Sequence, residues 1–221
     1  MNLKLKYPLP PDINRHTMMV EQTARWFHIG SPPSESSKIL IALHGYGQHP
    51  AYMLDCLKPL IKNDLCILAP EGLSRFYIKG TDGRVGASWM TRDERFTDIN
   101  DNIKYLNTWW AGLKVAKGAE VIVLGFSQGV ATAARWLAAG FPASKVILHS
   151  GTVPPEWNES HPEFHPRISK WISIRGKDDP IYSQNSHEAS ATLFGLLGLK
   201  FETIIVEGNH KLNHSDIESH L

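Results

Sequence analysis

The sequence predicts a three-layer α/β fold with a mainly parallel central sheet, and three observations lead to this prediction. Short apolar runs alternate along the chain with segments of helical periodicity. The run at 121–124 is apolar at every position, as expected for a central parallel strand covered by helices on both faces. The 221 residues are 42% apolar without a break in composition, so we expect one domain over residues 1–221.

The elements follow along the chain. Residues 16–29 alternate loosely and predict one or two edge strands. Buried strands are predicted at 38–43, 64–69, 121–124, 145–149, 170–175 and 200–206. Helices are predicted at 50–62, 99–115, 130–138 and 184–197. The helix at 99–115 should bury Ile103, Leu106, Trp110 and Leu113. The proline-rich loop at 151–169 is too short for a separate cap domain.

The composition limits the classes of partner. Lys and Arg (23) nearly balance Asp and Glu (22), so bulk charge favours neither a nucleic acid nor an anionic membrane. The N-terminus has no apolar stretch typical of a signal peptide, and no segment approaches the length that spans a bilayer. We expect a cytoplasmic protein that acts on a small or neutral molecule, with Cys56 and Cys66 as reduced thiols.

The strongest functional signal is a serine between two glycines. The apolar run 121–124 is followed by Ser127, flanked by Gly125 and Gly129, and helical spacing begins at Val130. A strand that turns into a helix within so few residues leaves no room beside the turning residue, so glycine is needed two positions before and after it. This pattern indicates a nucleophile elbow and makes Ser127 the candidate nucleophile.

A serine nucleophile needs a histidine to take its proton and a carboxylate to orient that histidine. At nucleophile elbows the chain order is Ser, acid, His, with each residue at the carboxyl end of a strand. Asp178 and Asp179 follow one predicted strand, and His210 follows the next. Pro180 biases the residue before it towards extended geometry, which favours Asp179 as the partner of His210. Ordinary turn chemistry at the two aspartates is the alternative.

Two further loops follow buried strands. The glycine-rich segment 44–48 can bring a backbone N–H next to the elbow, although an ordinary strand-to-helix loop would have the same sequence. Residues 71–95 show no periodicity, which predicts a long binding loop or lid. We expect Phe76 and Trp89 in this loop to contact an acyl chain. The alternative is that such aromatic residues anchor the loop to the core, and for Trp89 the sequence favours neither role over the other.

Five segments carry a further signal: LHGYG at 43–47, GASWM at 86–90, GFSQG at 125–129, GKDDPI at 176–181 and EGNHKL at 207–212. Together they resemble the phospholipase/carboxylesterase family of α/β-hydrolases, small esterases that include the acyl-protein thioesterases. The resemblance implies an α/β-hydrolase fold without a large cap. It also implies Ser127 as nucleophile, Asp179 as acid and His210 as base, with backbone N–H groups of Tyr46 and Gln128 as the oxyanion hole.

The chain departs from the family pattern at three positions. Arg175 and Ser183 stand where the family more usually has histidine and proline, and Tyr46 often appears there as leucine. These departures leave the implied chemistry unchanged and bear on the acyl-chain preference.

Two hypotheses of a different function stay open. One is a non-catalytic relative that binds a small ligand, against which the intact serine, acid and histidine argue. The other is a metallohydrolase with His210 and His214 on one helix over 209–218, but the general-base glutamate of HExxH is absent. His161 and His165 also have helical ligand spacing, but prolines beside them disfavour a helix. We therefore expect a serine esterase that needs neither metal nor cofactor.

Overall fold

The structure is a computed structural model that describes residue 10, residues 12–62 and residues 64–221. The expected absence of a signal peptide concerns the N-terminal stretch, most of which lies outside the described residues. None of the helices in the described ranges combines the length and the apolarity needed to cross a bilayer.

In the described part of the chain, nine strands form one large sheet and one hairpin. The strands are β1 (Trp26–Gly30), β2 (Lys38–Leu43), β3 (Leu65–Pro70), β4 (Ser74–Tyr77), β5 (Val85–Ser88), β6 (Glu120–Phe126), β7 (Lys145–His149), β8 (Lys170–Gly176) and β9 (Phe201–Val206). The large sheet has the order β1-β3-β2-β6-β7-β8-β9, and β4 pairs with β5 in the hairpin. Only β1 runs antiparallel to its neighbour in the large sheet, so the predicted mainly parallel α/β fold is confirmed.

Six α-helices within the described ranges connect or flank the strands. They are α1 (Pro50–Leu57), α2 (Arg95–Ala111), α3 (Gln128–Ala138), α4 (Trp157–Ser160), α5 (Gln184–Leu196) and α6 (Ser215–Glu218). Helix α1 starts where His49 accepts a hydrogen bond from the Ala51 N–H and Pro50 occupies the first turn. A short 3₁₀ helix at Lys58–Leu60 continues it, so the predicted helix at 50–62 is present but changes type near its end.

Strand β2 shows why both faces of the sheet are buried. Ile39, Ile41 and Leu43 belong to one apolar cluster, and Leu40 and Ala42 belong to the other. Successive side chains of a strand point to opposite faces, so an all-apolar run needs a helical layer on each side. The strand order places the end of β6 in the centre of the carboxyl edge, between β2 and β7.

Two sequence-based assignments of strands are wrong in part. Residues 16–25 form no strand, and the edge strand is limited to β1. Residues 71–95 are not one irregular loop, because they contain the β4–β5 hairpin. Tertiary contact rather than periodicity stabilises the hairpin: Gln48 and Ala87 form an antiparallel bridge that joins β5 to the loop after β2.

Helix α2 begins and ends four residues earlier than predicted. Leu106 is fully buried as expected, whereas Trp110 and Leu113 are partly buried against the core and Ile103 is also only partly buried. Of the two adjacent tryptophans, Trp109 is the buried one, at 9% exposed. Its ring lies beside Trp26 of β1, with ring centroids 6.2 Å apart, whereas the ring of Trp110 lies edge-on to Phe141 at 5.3 Å.

Candidate active site

Ser127 lies at the sharp turn between β6 and α3. Its backbone has φ 54° and ψ −118°, a conformation that is unfavourable for a residue with a side chain. A side chain on Gly129 would meet the backbone carbonyl of Leu43, and one on Gly125 would meet the backbone of Gly129. The turn is therefore as crowded as the sequence pattern predicts, and the two glycines permit it.

The structure brings the hydroxyl of Ser127 to His210. The Nε2 atom of His210 lies 2.9 Å from Ser127 Oγ, across 83 residues of sequence. Ser127 occupies the N-cap of α3, but its hydroxyl does not cap the helix. The hydroxyl thus remains available to the imidazole, and a neutral Nε2 can accept its proton.

Asp179 completes a linear array with these two residues. Its Oδ2 atom lies 2.8 Å from His210 Nδ1, and its Oδ1 accepts hydrogen bonds from the N–H groups of Ile181 (2.8 Å) and Tyr182 (3.0 Å). Burial alone would raise the pKa of this carboxyl, but the hydrogen bonds from His210, Tyr182 and Ile181 outweigh it and lower the pKa below its ordinary value. Asp179 is thus held as a carboxylate, which keeps the proton of the neutral imidazole on Nδ1.

The glycine-rich loop after β2 lies next to Ser127. A side chain on Gly45 would lie 3.1 Å from the Cβ atom of Ser127, so this loop approaches the nucleophile closely. Within the described chain, the N–H groups of Tyr46 and Gln128 have no hydrogen-bond acceptor. Both residues therefore retain a free backbone donor, as an oxyanion hole requires.

His44 fixes the start of this loop. Its Nε2 accepts a hydrogen bond from the Gly72 N–H (3.0 Å), so Nδ1 carries the proton and donates to the Gly45 carbonyl (2.8 Å). Burial lowers the pKa of His44 to about 4, and hydrogen bonding to Gly45 opposes that fall. His44 is accordingly a neutral structural residue at neutral pH.

The second predicted loop is clamped to the elbow by Gln128. The side-chain Oε1 of Gln128 accepts a hydrogen bond from the Trp89 N–H (3.0 Å), and its Nε2 donates to the Met90 carbonyl (2.8 Å). The Ala87 carbonyl in the hairpin also accepts a hydrogen bond from the Gly47 N–H (2.8 Å). These bonds make the segment after β5 part of the scaffold of the site.

The two aromatic residues expected to contact substrate have different positions. Trp89 is 2% exposed, its ring N–H donates to the His44 carbonyl (2.8 Å), and a cavity that it lines measures only about 10 Å³. This burial supports the core-anchor alternative for Trp89 over the expected acyl contact. Phe76 is half-buried beside Tyr46, with ring centroids 5.2 Å apart, next to the glycine-rich loop.

Neither histidine pair considered for a metal has the predicted geometry. The helix required over 209–218 is limited to α6, and both ring nitrogens of His210 are engaged by Ser127 and Asp179. His161 ends α4, so no helix spans His161 and His165. Among the described residues, no group of three or more His, Cys, Asp or Glu side chains could hold a metal ion.

Sequence comparison assigns the chain to a family. The family model described as phospholipase/carboxylesterase matches residues 24–219, nearly the whole chain. The chain belongs to the phospholipase/carboxylesterase family. A comparison with curated proteins finds no match. Family membership supports a hydrolase that acts on esters, and it does not favour a non-catalytic binding protein.

Solved structures of esterases share the fold. Esterase PE8 is 17% identical with a TM-score of 0.70, over 90% of this chain and 96% of that chain. Acyl-protein thioesterase 2 of Zea mays is 15% identical with a TM-score of 0.71, over 90% and 96%. The Bacillus cereus carboxylesterase is 17% identical with a TM-score of 0.65, over 89% and 91%. At such identities the likeness shows the fold, and the geometry above carries the chemistry.

Sequence reasoning missed one residue that contacts the candidate site, Tyr182, and a second His–Asp pair near it, His149 with Asp216. Tyr182 packs on the His210 imidazole, with ring centroids 5.7 Å apart. Burial raises the pKa of the Tyr182 hydroxyl, and a side-chain hydrogen bond with Ser127 partly opposes that rise. His149 and Asp216 form a second His–Asp pair, 3.3 Å from Nε2 to Oδ2, beneath Phe126. A tyrosine three residues after the acid was visible in the sequence, whereas the second pair joins distant segments.

Proposed function

We propose that the protein is a serine esterase that hydrolyses soluble carboxylic esters or thioesters through an acyl-enzyme on Ser127. The carrying observation is that His210 contacts Ser127 Oγ through Nε2 (2.9 Å) and Asp179 Oδ2 through Nδ1 (2.8 Å). One imidazole thus contacts both a nucleophile and an orienting carboxylate, the arrangement that activates a serine hydroxyl. Carboxylesterase and lysophospholipase activities both fit this geometry.

The first half-reaction forms the acyl-enzyme. The Ser127 hydroxyl transfers its proton to His210 Nε2 while Oγ bonds to the ester carbonyl carbon. The carbonyl oxygen gains the electron pair, and the N–H groups of Tyr46 and Gln128 donate to it. The C–O bond of an ester, or the C–S bond of a thioester, then breaks, and His210 gives the proton to the departing alkoxide or thiolate, which leaves as an alcohol or a thiol.

The second half-reaction releases the acid. His210 takes a proton from water, whose oxygen attacks the acyl carbon, and the Ser127–acyl bond breaks as the proton returns to Oγ. Asp179 keeps its negative charge beside the imidazolium throughout. Every proton is supplied by Ser127, His210 and water, so the proposed cycle requires neither metal nor cofactor.

We further propose a preference for short and medium acyl chains over triglycerides. Only the four-residue α4 interrupts the connection between β7 and β8, so this connection, which is described in full, builds no large apolar cap over the elbow. Phe76, beside the exposed Tyr46, is the proposed acyl contact.

The test combines covalent labelling with turnover. A fluorophosphonate probe should label the wild type and Ser183→Ala but not Ser127→Ala, because only an activated hydroxyl reacts. A series of p-nitrophenyl esters of increasing chain length, measured with and without chelator, should give turnover that depends on Ser127 and not on chelation. Labelling retained in Ser127→Ala, or turnover abolished by the chelator, would refute the proposal.

A further inference from the structure

A cavity of about 190 Å³ lies between α5 and the last two strands of the large sheet, β8 and the edge strand β9. Neither Ser127 nor His210 lines it, so it is separate from the proposed active site. Its wall combines polar, charged and aromatic side chains, of which the argument uses Ser173, Arg175, His187, Phe194, Phe201 and Thr203. The volume is below the roughly 300–1,000 Å³ of sites for drug-sized ligands, which limits an occupant to a small molecule.

His187 is a buried side chain without a partner. It is 7% exposed, and neither ring nitrogen has a hydrogen-bond partner in the described chain. Burial lowers the pKa of this imidazole, and the nearby Arg175 charge lowers it further. A neutral imidazole left unsatisfied in this way costs free energy, which a ligand that accepts its ring N–H would recover.

Arg175 is the second polar group of the cavity. It forms no ion pair with any described residue, although it is only partly exposed. A guanidinium presents a planar fork of donors that matches a carboxylate. Glu188 is the exposed acidic group of the lining, and its carboxylate is held by the Gln184 amide (2.7 Å). A second negative charge on the ligand would therefore be disfavoured.

The cavity changes from polar to apolar along the strands. In the pairing of β8 with β9, Arg175 lies opposite Ile205, Ser173 opposite Thr203, and Trp171 opposite Phe201. Four residues of strand separate the levels of Arg175 and Trp171, about 13 Å at about 3.3 Å per residue. Phe194 and Phe201 stack at the apolar end, with ring centroids 4.7 Å apart. The lining therefore suits a molecule with one charged end and a short apolar end.

We propose that this cavity binds a short-chain monocarboxylate, with its carboxylate on Arg175 and His187 and its hydrocarbon end towards Phe194 and Phe201. The hydroxyls of Ser173 and Thr203 line the middle of the path. The proposal concerns a site apart from Ser127, so it stands or falls independently of the esterase mechanism.

The experiment follows His187 by NMR in histidine-labelled full-length protein, with the signal assigned by its loss in His187→Gln. Hexanoate is titrated against hexan-1-ol, which lacks the charge, and against inorganic phosphate, which lacks the hydrocarbon end. Hexanoate should shift the His187 signal saturably, and the other two should need at least about ten times the concentration because they lose a charge-assisted bond or the apolar contact. The same result is expected in Ser127→Ala.

Two variants distinguish binding of hexanoate at the cavity from nonspecific attraction to nearby positive charge. Arg175→Gln should raise the hexanoate dissociation constant at least about tenfold. Lys177→Gln removes a neighbouring cation that pairs with exposed Glu207 (3.3 Å), and it should leave binding unchanged. No saturable shift, an equal shift with hexan-1-ol or phosphate, or equal weakening in both variants would overturn the proposal. The wild-type comparison of ligands holds even if Arg175→Gln fails to fold.

Discussion

The carboxylate of Asp179 accepts the Nδ1–H of His210 at 2.8 Å, while the adjacent Asp178 is exposed and contributes only a backbone bond to Gly208. Two neighbouring aspartates therefore have unequal roles. The Asp179 side chain is 1% exposed and receives three hydrogen bonds, two of them from backbone N–H groups after Pro180.

This inequality gives the first prediction. Asp179→Asn should lower turnover of a soluble ester by about 10³–10⁴, because the asparagine amide favours the wrong tautomer of His210, and the corresponding change in a serine protease costs about 10⁴. Asp178→Asn is the matched control and should cost about tenfold or less, since a solvated carboxylate contributes little to a distant transition state. Kinetics of both variants, with folding checked by thermal melt, decide the matter. A crippled Asp178→Asn beside an active Asp179→Asn would reverse the assignment.

Much of this arrangement could be predicted because parallel strands bring their carboxyl ends to one edge. Ser127, Asp179 and His210 each follow an apolar run in the sequence, so their order alone suggested that they meet. The β4–β5 hairpin could not be predicted in the same way. Its strand VGAS has no alternation of apolar and polar residues and depends on the bridge to Gln48.

Trp89 illustrates a second limit. An aromatic residue in a non-periodic loop can line a groove or anchor the loop, and the sequence does not distinguish these roles. The decision depends on His44, 45 residues away, whose carbonyl accepts the indole N–H. The pair of His149 with Asp216, 67 residues apart, was hidden for the same reason.

The second prediction concerns the two aromatic residues. Trp89→Phe should lower the free energy of unfolding by about 1–3 kcal/mol, because it leaves the buried His44 carbonyl without its donor. It should not change the order of preference among acyl esters of different length. Phe76→Ala should change that order at nearly wild-type stability. A changed chain-length profile in Trp89→Phe with unchanged Phe76→Ala would contradict the assignment of both residues.

The third prediction concerns the side chain of Gln128. Gln128→Ala keeps the backbone N–H but removes the acceptor of Trp89 N–H and the donor to the Met90 carbonyl. We expect a loss of about 1–3 kcal/mol in unfolding free energy. Gln128→Glu keeps the acceptor and should recover part of that loss. Denaturant unfolding measures both, and equal stability of the wild type and the alanine variant would show that the clamp is unimportant.

The fourth prediction is a pH dependence of stability. The pKa of His44 is about 4 in the folded protein against an ordinary 6.5, so the unfolded chain binds the extra proton between these values. Stability from this residue is complete above about pH 6.5 and is lost as the pH falls towards 4. The loss should reach about 3 kcal/mol, at about 1.4 kcal/mol per pKa unit. Denaturant unfolding from pH 7 to 4 should show a shallower slope in His44→Gln, and parallel curves would refute the assignment.

The fifth prediction separates the two His–Asp pairs at the carboxyl edge. His149 and Asp216 have the residue types of a catalytic pair. The ring of Phe126 lies beside both histidines, with its centroid 5.7 Å from that of the His149 imidazole and 5.2 Å from that of the His210 imidazole. Of these two histidines, it is the imidazole of His210 that reaches Ser127 Oγ. Burial lowers the pKa of His149 despite Asp216, so a neutral ring donates to Asp216 and accepts from Ser150.

Asp216→Ala would leave that buried ring N–H without an acceptor and should cost about 1–3 kcal/mol of stability. Turnover per folded molecule should stay within about tenfold of wild type, because no proton of the proposed reaction passes through His149. Asp179→Ala is the comparison, with the opposite pattern of a large loss of turnover. If Asp216→Ala instead lowered turnover of folded protein as far as Asp179→Ala, the buried pair would belong to the catalytic array, and the packing of Phe126 against both imidazoles would connect it to His210.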